Sequence, residues 1–354
     1  MTENAFRPRP MDRRKFLRRT ARAGAATALP AWLLSACASP STSTSAAASS
    51  SVLKATHGTG FCNMGLFLVK ERNLAKADGT SLNFVVTPTN ADIVTLFGAG
   101  QVDVSVLPYT QFMTLRDAGA PVTIVAGAGV QGCVIAAQRG ITSAADLQGK
   151  TLGTFQADTL EMLPYDYLKK AGLSFSDVKV RYFGTSPELA QAFISGSIDA
   201  MCHIEPYATQ ALKARPGSVK LSDGTDVYGT GYTDCVLAVR NDLLTKNPKA
   251  VKALIKAMFV AQQQSEKDRA SAVQATTGTY FKTSVADAMD ASRKQPNVVD
   301  QRTKAQFMLD RAAGMMDLGY LKKLPDQSMF DWTLLNQVVK ENQSLYNSLQ
   351  RRQA

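Results

Sequence analysis

Histidine is almost missing: His57 and His203 are the only two in 354 residues. A catalytic triad or a histidine-based metal centre would have to draw on one of them. No cysteines stand as C-x-x-C, which disfavours zinc-ribbon chemistry. No stretch is long and apolar enough to cross a bilayer as a helix. No Arg/Lys stripe with interleaved aromatics appears, which argues against nucleic acid as a partner. Against these absences stands a formal charge of +11.

That charge is concentrated at the front. Residues 1–36 hold eight Lys/Arg and two Asp/Glu, leaving +5 for the rest. The segment MDRRKFLRRTARAGAATALPAWLLSAC joins a charged stretch, a short apolar run (Ala23–Leu34) and a small-residue exit, the parts of an export signal. Arg13 and Arg14 resemble the twin-arginine subclass. Leu34-Ser35-Ala36-Cys37 resembles a bacterial lipobox, which implies cleavage before Cys37 and lipid on its sulfur. The alternative is an ordinary cleaved signal with Cys37 incidental. Residues 37–51 are Ser, Thr and Ala with one Pro, besides Cys37 itself, too little bulk for a core, and are expected to form a flexible tether. The folded part is thus expected outside the cytoplasm, held near a membrane.

The remainder suffices for two modest domains. Strands are expected at 52–56, 84–87, 102–107, 122–126, 133–137, 151–154, 178–183, 198–202 and 235–239. Helices are expected between them at 64–75, 91–97, 111–118, 160–171, 188–194 and 207–213. This alternation argues for parallel α/β sheets. From Pro248 onward, long helical patterns at 250–267, 281–297, 303–318 and 330–351 suggest an all-helical layer. An internal echo links LFGAGQVDVSVLPYTQ, from Leu96, with FISGSIDAMCHIEPYATQ, from Phe193. Each has Gly-x-aliphatic-Asp, an apolar strand, then Pro-Tyr opening a helix. Gly100 and Gly196 suit the left-handed position after a helix, and the echo suggests two similar lobes.

The stretch from Ile141 to Gly153, ITSAADLQGKTLG, resembles the I-x-S-x-x-DL-x-GK-x-hydrophobic-G segment of periplasmic solute-binding proteins. With Leu168-Lys169-Lys170-Ala171-Gly172-Leu173, Gly196-Ser197-Ile198-Asp199-Ala200 and Glu205-Pro206-Tyr207, the chain resembles the nitrate/sulfonate/taurine and thiamine-pyrimidine-precursor branch of ABC-importer binding proteins. The resemblance implies an α/β, two-lobe periplasmic-binding-protein (type II) fold with a C-terminal helical layer. Residues 52–138 and 236–354 would form lobe 1, and 139–235 lobe 2. It implies a monomer that captures a solute in the interlobe cleft, closes by a hinge and docks on a permease with its ATPase. No cofactor and no enzymatic activity are implied. An extracytoplasmic sensor with the same fold is an alternative.

Cys202, His203 and Glu205 invite a catalytic or metal reading. On a strand, Cys202 and His203 point to opposite faces, a poor nucleophile–base pair. His203 and Glu205 give two ligands, too few for a metal unless His57 and Cys62 cross the cleft. No metal site is therefore expected. The cysteine cluster of the pyrimidine-forming relative, which binds iron, is absent.

The expected ligand contacts lie on six loops. Gly58, Phe61 and Asn63 follow the first strand, where glycines admit a ligand to the backbone and Phe61 offers a flat face. Thr89 and Asn90 open the next helix, which Thr89 or Asn90 would cap in any case. Tyr109 is a candidate aromatic wall. Gln156, Asp158, Thr159 and Glu161 surround another helix start, with Glu161 loosely matching a position where pyrimidine-precursor binders often carry Glu. His203, Glu205 and Tyr207 end a strand, and Asp234 lies near the crossover. None of these loops holds Arg or Lys, the usual clamps for a carboxylate or sulfonate. The reading leans to a neutral or weakly cationic flat solute such as a pyrimidine-type precursor. A small oxyanion (sulfonate, taurine, nitrate) is the alternative.

Overall fold

The computed structural model describes residues 51–354. The expected signal, Cys37 and most of the tether lie outside the described residues. In chain order the first group of elements is β1 (Ser51–His57), α1 (Met64–Glu71), β2 (Thr80–Phe84), α2 (Asn90–Gly98), β3 (Val104–Pro108), α3 (Tyr109–Asp117) and β4 (Val122–Gly127). The second is β5 (Cys133–Ala137), β6 (Thr151–Thr154), α4 (Thr159–Lys170), β7 (Lys179–Tyr182), α5 (Ser186–Ser195), β8 (Ala200–Ile204), α6 (Tyr207–Ala214), β9 (Val219–Ser222) and α7 (Thr225–Tyr228). After β10 (Cys235–Arg240) come α8 (Asn241–Lys246), α9 (Pro248–Lys267), α10 (Arg269–Thr276), α11 (Val285–Ala291), α12 (Ala305–Asp310), α13 (Ala312–Asp317), α14 (Thr333–Glu341) and α15 (Gln343–Asn347).

Two five-stranded sheets result, ordered β2-β1-β3-β10-β4 and β7-β6-β8-β5-β9. The orders match strand for strand, in keeping with the two similar lobes that the echo suggested. The sheets are mixed rather than parallel. β10 runs antiparallel between β3 and β4, and β5 runs antiparallel between β8 and β9. Both are crossover strands, whose direction follows from the path between sheets and not from their own residues. The boundary expected near residue 138 left β5 in the first lobe, yet β5 pairs in the second sheet.

The echo has a structural basis. Gly100 and Gly196 take φ of 70° and 79°, which non-glycine residues adopt only at a cost. Three residues on, Asp103 accepts from Lys54 N at 2.9 Å, and Asp199 accepts from Thr151 N at 2.8 Å. Each carboxylate thus stitches a turn to the neighbouring strand in its own sheet. Helix starts follow local rules as well. Thr89 and Asp92 form a capping box on α2. Asn247 caps α9 ahead of Pro248 at its first position.

Elsewhere the expected elements shift. β2 ends at Phe84, where the sequence reading began it, because Val85–Pro88 leads into the α2 cap. β9 was not expected; it has four residues, VKLS, of which only Ser222 is buried, with little apolar signal. The tail helices are shorter than their patterns. The 281–297 stretch is helical only at α11, and 303–318 is broken at Arg311 into α12 and α13. Within 330–351, Phe330 bridges Ile124 beside β4, and Asn342 leaves helical geometry between α14 and α15. Asparagine competes with the helix through its own side chain. The long α9 keeps its pattern and buries Val251, Leu254, Ile255 and Met258 in the core beneath the first sheet. No helix of the described residues is long and apolar enough to cross a membrane.

Candidate ligand-binding cleft

Loops from both sheets meet at the strand ends, the usual place for a ligand in open α/β sheets. Four polar bonds cross between them. Phe61 N donates to Glu205 O at 2.9 Å and Asn90 N to Gly184 O at 3.1 Å. Thr59 Oγ1 donates to Ser186 Oγ at 2.9 Å, and Gln111 Nε2 to Asp158 Oδ2 at 3.1 Å. Gly60 permits this approach, since a Cβ there would lie 2.8 Å from the Ile204 side chain. The cleft is therefore closed.

Two adjacent chambers remain. The inner one, about 40 Å³, is lined by Gly58, Asn63, Asn90, Gln111, Asp158 and Asp234 among its polar groups, with Leu107, Phe155 and Ile204 as apolar walls. It has room for a few waters or a small solute. The outer one, about 600 Å³, is bounded by His57, Phe84, Thr89, Tyr207, Tyr280 and Lys282. Thr59, Asn90, Ile93 and Ser186 line both. No Lys or Arg lines the inner chamber, while Lys282 stands at the outer one.

Helix starts converge on the inner chamber: Asn63 before α1, Asn90 opening α2, Asp158 before α4 and Ser186 opening α5. Free backbone N–H groups at such ends favour negative charge. Asp158 uses one of them itself, since its Oδ1 accepts from Leu160 N at 3.1 Å. Asp234 Oδ1 accepts from Thr159 Oγ1 at 2.6 Å. Its Oδ2 accepts from Gln295 Nε2 at 2.9 Å. Burial, and then the neighbouring Asp234 carboxylate, push Asp158 up to about 7. Burial also raises Asp234. Near neutral pH the chamber therefore does not carry two full negative charges.

Of the expected contact residues, the structure gathers Gly58, Asn63, Asn90, Asp158 and Asp234 around the inner chamber and Thr89 and Tyr207 around the outer one. Thr159 acts through Asp234. The others lie elsewhere. Phe61 is fully buried against Phe281, with ring centroids 4.4 Å apart. Tyr109 is buried against Phe307. Both were expected as aromatic walls, but apolar bulk behind the strand ends draws them into the core. Gln156 is exposed beyond the chamber. Glu161 accepts from Ala157 N at 2.7 Å, Tyr182 Oη at 2.5 Å and Tyr320 Oη at 3.0 Å. It ties the loop before α4 to β7 and the tail and lines neither chamber.

His203 and Glu205 are likewise packing groups. His203 Nε2 donates to Ser186 O at 2.9 Å, and Nδ1 accepts from Ile204 N at 2.8 Å. The ring is thus neutral, stacked on Tyr207, and burial lowers it to about 4. Glu205 accepts from Thr209 N at 3.0 Å and Thr209 Oγ1 at 2.9 Å, with Lys294 Nζ 3.7 Å away. Cys62, Cys133, Cys202 and Cys235 are all buried and free. The sequence reading missed Thr59, Gln111, Phe155, Ser186 and the chamber-lining Cys62 and Cys235. Ser186 was the one with a signal: TSPE before α5 occupies the place in the second half that TPTNAD holds before α2 in the first.

This geometry agrees with what the chain is related to. The NMT1/THI5-like family profile matches residues 63–267, more than half of the chain, and the chain belongs to that family. A putative binding protein of Brucella abortus (strain 2308) is 28% identical over 188 residues, 53% of this chain and 58% of that protein. The chain thus matches a little over half the length of that relative. The fold is shared with the periplasmic aliphatic sulphonate binding protein SsuA of Escherichia coli. There the TM-score is 0.67 at 20% identity, covering 80% of this chain and 97% of that one. It is shared also with the periplasmic nitrate-binding protein NrtA of Synechocystis PCC 6803. That TM-score is 0.71 at 15% identity, covering 85% and 91%. The architecture is the type II solute-binding fold of these proteins: two mixed sheets flanked by helices, with a helical bundle at the C-terminal end.

Proposed function

We propose that the chain is the solute-binding component of an ABC importer, which captures a small polar solute in the closed cleft and delivers it to a membrane permease and its ATPase. The observation that carries this reading is the convergence of four helix starts and of polar groups from both sheets on one small chamber. The same reading takes residues 1–37 as an export signal and lipid anchor, with Cys37 the lipidated residue, and the folded part as an extracytoplasmic monomer.

Among solutes, a small oxyanion has the better support. Relatives in fold are named for sulphonate and nitrate. Helix starts bind oxyanions through backbone N–H groups without Arg or Lys. Thr59, Asn63, Asn90, Gln111 and Ser186 add neutral hydroxyl and amide groups. The flat pyrimidine-type solute loses the aromatic walls expected at Phe61 and Tyr109. One observation still favours a neutral or cationic solute: Asp158 and Asp234 both line the chamber.

Calorimetric titration of the purified protein with taurine, nitrate and an aminomethylpyrimidine decides between them. An oxyanion should bind with affinity that rises as pH falls through about 7, because protonating Asp158 removes a like charge. Asp158→Asn should flatten that profile. Binding of the pyrimidine alone would reverse the order of the two readings. Saturable binding of none of the three, with no gain in thermal stability from any, would remove the transport reading. Loss of solute uptake on deleting the protein, rather than loss of a transcriptional response, separates importer from sensor.

A further inference from the structure

The inner end of the cleft holds a set of donor atoms whose soft sulfurs the solute reading leaves without a role. Cys62, Asp234 and Cys235 are buried, and one ligand atom from each lies within 4.8 Å of the others. Cys62 belongs to the turn before α1, while Asp234 and Cys235 open β10. All three line the inner chamber. We propose that Cys62, Asp234 and Cys235 bind a borderline-soft divalent cation of the zinc class, leaving a fourth position to a water or a donor atom from the chamber.

The donor chemistry fits. Thiolate sulfur and carboxylate oxygen are ligands that Zn²⁺ accepts in tetrahedral sites, and a site with three protein ligands keeps one position open. Soft sulfur ligands select against Mg²⁺ and Ca²⁺. Hydrogen-bond donors already reach two of the three ligands. Asn63 Nδ2 donates to Cys62 Sγ at 3.2 Å. Gln295 Nε2 and Thr159 Oγ1 donate to the two oxygens of Asp234. Such supporting bonds orient metal ligands and raise affinity. Cys235 Sγ donates to Asp234 Oδ2 at 3.2 Å. Loss of that proton frees the sulfur and one oxygen lone pair together. Only a bound cation lets all three be anionic at this depth, since no Lys, Arg or His lines the chamber. Cys133 Sγ stands 3.7 Å from Asp234 Oδ1, behind the carboxylate and outside the set.

The step balances without redox change. Two metal–sulfur bonds and one metal–oxygen bond form, two S–H bonds break, and two protons pass to solvent. The filled site carries a net charge of −1. The proposal is independent of which solute the cleft takes.

The test uses the purified protein, reduced, stripped with a chelator and titrated with Co²⁺ and then Zn²⁺ under nitrogen. One Co²⁺ per chain should give a thiolate-to-cobalt charge-transfer absorption, which one Zn²⁺ abolishes. The dependence of the binding heat on buffer should report about two protons released. Cys62→Ser and Cys235→Ser should each weaken Zn²⁺ binding by more than about 100-fold, beyond what loss of a supporting bond causes. Cys202→Ser should leave it unchanged. Absence of the charge-transfer band in the unaltered protein overturns the proposal, and needs no variant to fold. The same band in Cys62→Ser overturns it too. So does a Cys62–Cys235 disulfide found by alkylation of freshly isolated, unreduced protein. Solute binding by the metal-stripped protein reports on transport separately, so either reading can fail while the other stands.

Discussion

The two sheets use one turn twice and finish it differently. In both, a left-handed glycine and an aspartate pin the strand that follows, and Pro-Tyr opens the next helix. Asp103 stands five positions before Pro108, whereas Asp199 stands seven before Pro206. The shorter version ends in Val106-Leu107-Pro108, an apolar wall of the inner chamber. The longer one ends in His203-Ile204-Glu205, where two buried polar side chains are spent on backbone and on α6. The shared residues set the path of the chain, and the strand's last turn is left to serve either cleft or packing. Cys202, His203 and Glu205, which look like chemistry when read in line, belong to the packing version.

The largest expected effect is a pH dependence from His203 in the second sheet, to which His57 at the end of β1, also lowered by burial, adds in the same direction. His203 is neutral in the fold and lowered to about 4 from its ordinary 6.5. As pH falls below 6.5 the unfolded chain takes the proton first. This contribution to stability is therefore full above 6.5 and lost as pH falls through about 4, a difference of about 3 kcal/mol. His203→Gln should reduce the loss of urea-unfolding stability across that window. Equal slopes in both proteins would remove the distinction drawn between the two turns. Next is Glu205→Ala, which leaves two donors on Thr209 unanswered and should cost about 2 kcal/mol at neutral pH by urea unfolding. A neutral result would make the polar finish dispensable.

Asp103→Ala and Asp199→Ala should each cost about 1.5 kcal/mol. The double variant should show the sum, because the bonds lie in separate sheets. A shortfall from additivity would show that the two turns support each other through the closed cleft. Smallest is the glycine pair. Gly100→Ala and Gly196→Ala should each cost about 1 kcal/mol for the left-handed backbone. The second should cost slightly more, since its Cβ would come 2.7 Å from Arg215 Nη2, whose guanidinium is bonded to Gln138 and Ile194.

Much of this was legible in the sequence. The echo pointed to two similar lobes, because Gly, Asp and Pro-Tyr act locally. The caps at Thr89 and Asp158 fixed two helix starts for the same reason. The site was half legible. Residues that open helices, Asn90 and Asp158, came out at the chamber, since a helix start points its N–H groups along its own axis. Phe61 and Tyr109 did not, because a strand end offers an aromatic ring two destinations and only the packing of Phe281 and Phe307 chooses. Cys62 and Cys235 are 173 positions apart, and no pattern along the chain brings such residues together. β10 does so by lying between β3 and β4.

That placement also orders events during synthesis. β3 and β4 are made before residue 128, yet each reaches the other only through β10. A ribosome that has finished the second sheet at Ser222 has still not supplied the strand that closes the first. The half of the molecule that emerges first is therefore the half completed last. If the first sheet forms as the chain emerges, the edges of β3 and β4 stay unpaired over roughly a hundred residues of elongation, the interval in which such a chain is open to aggregation and to chaperones.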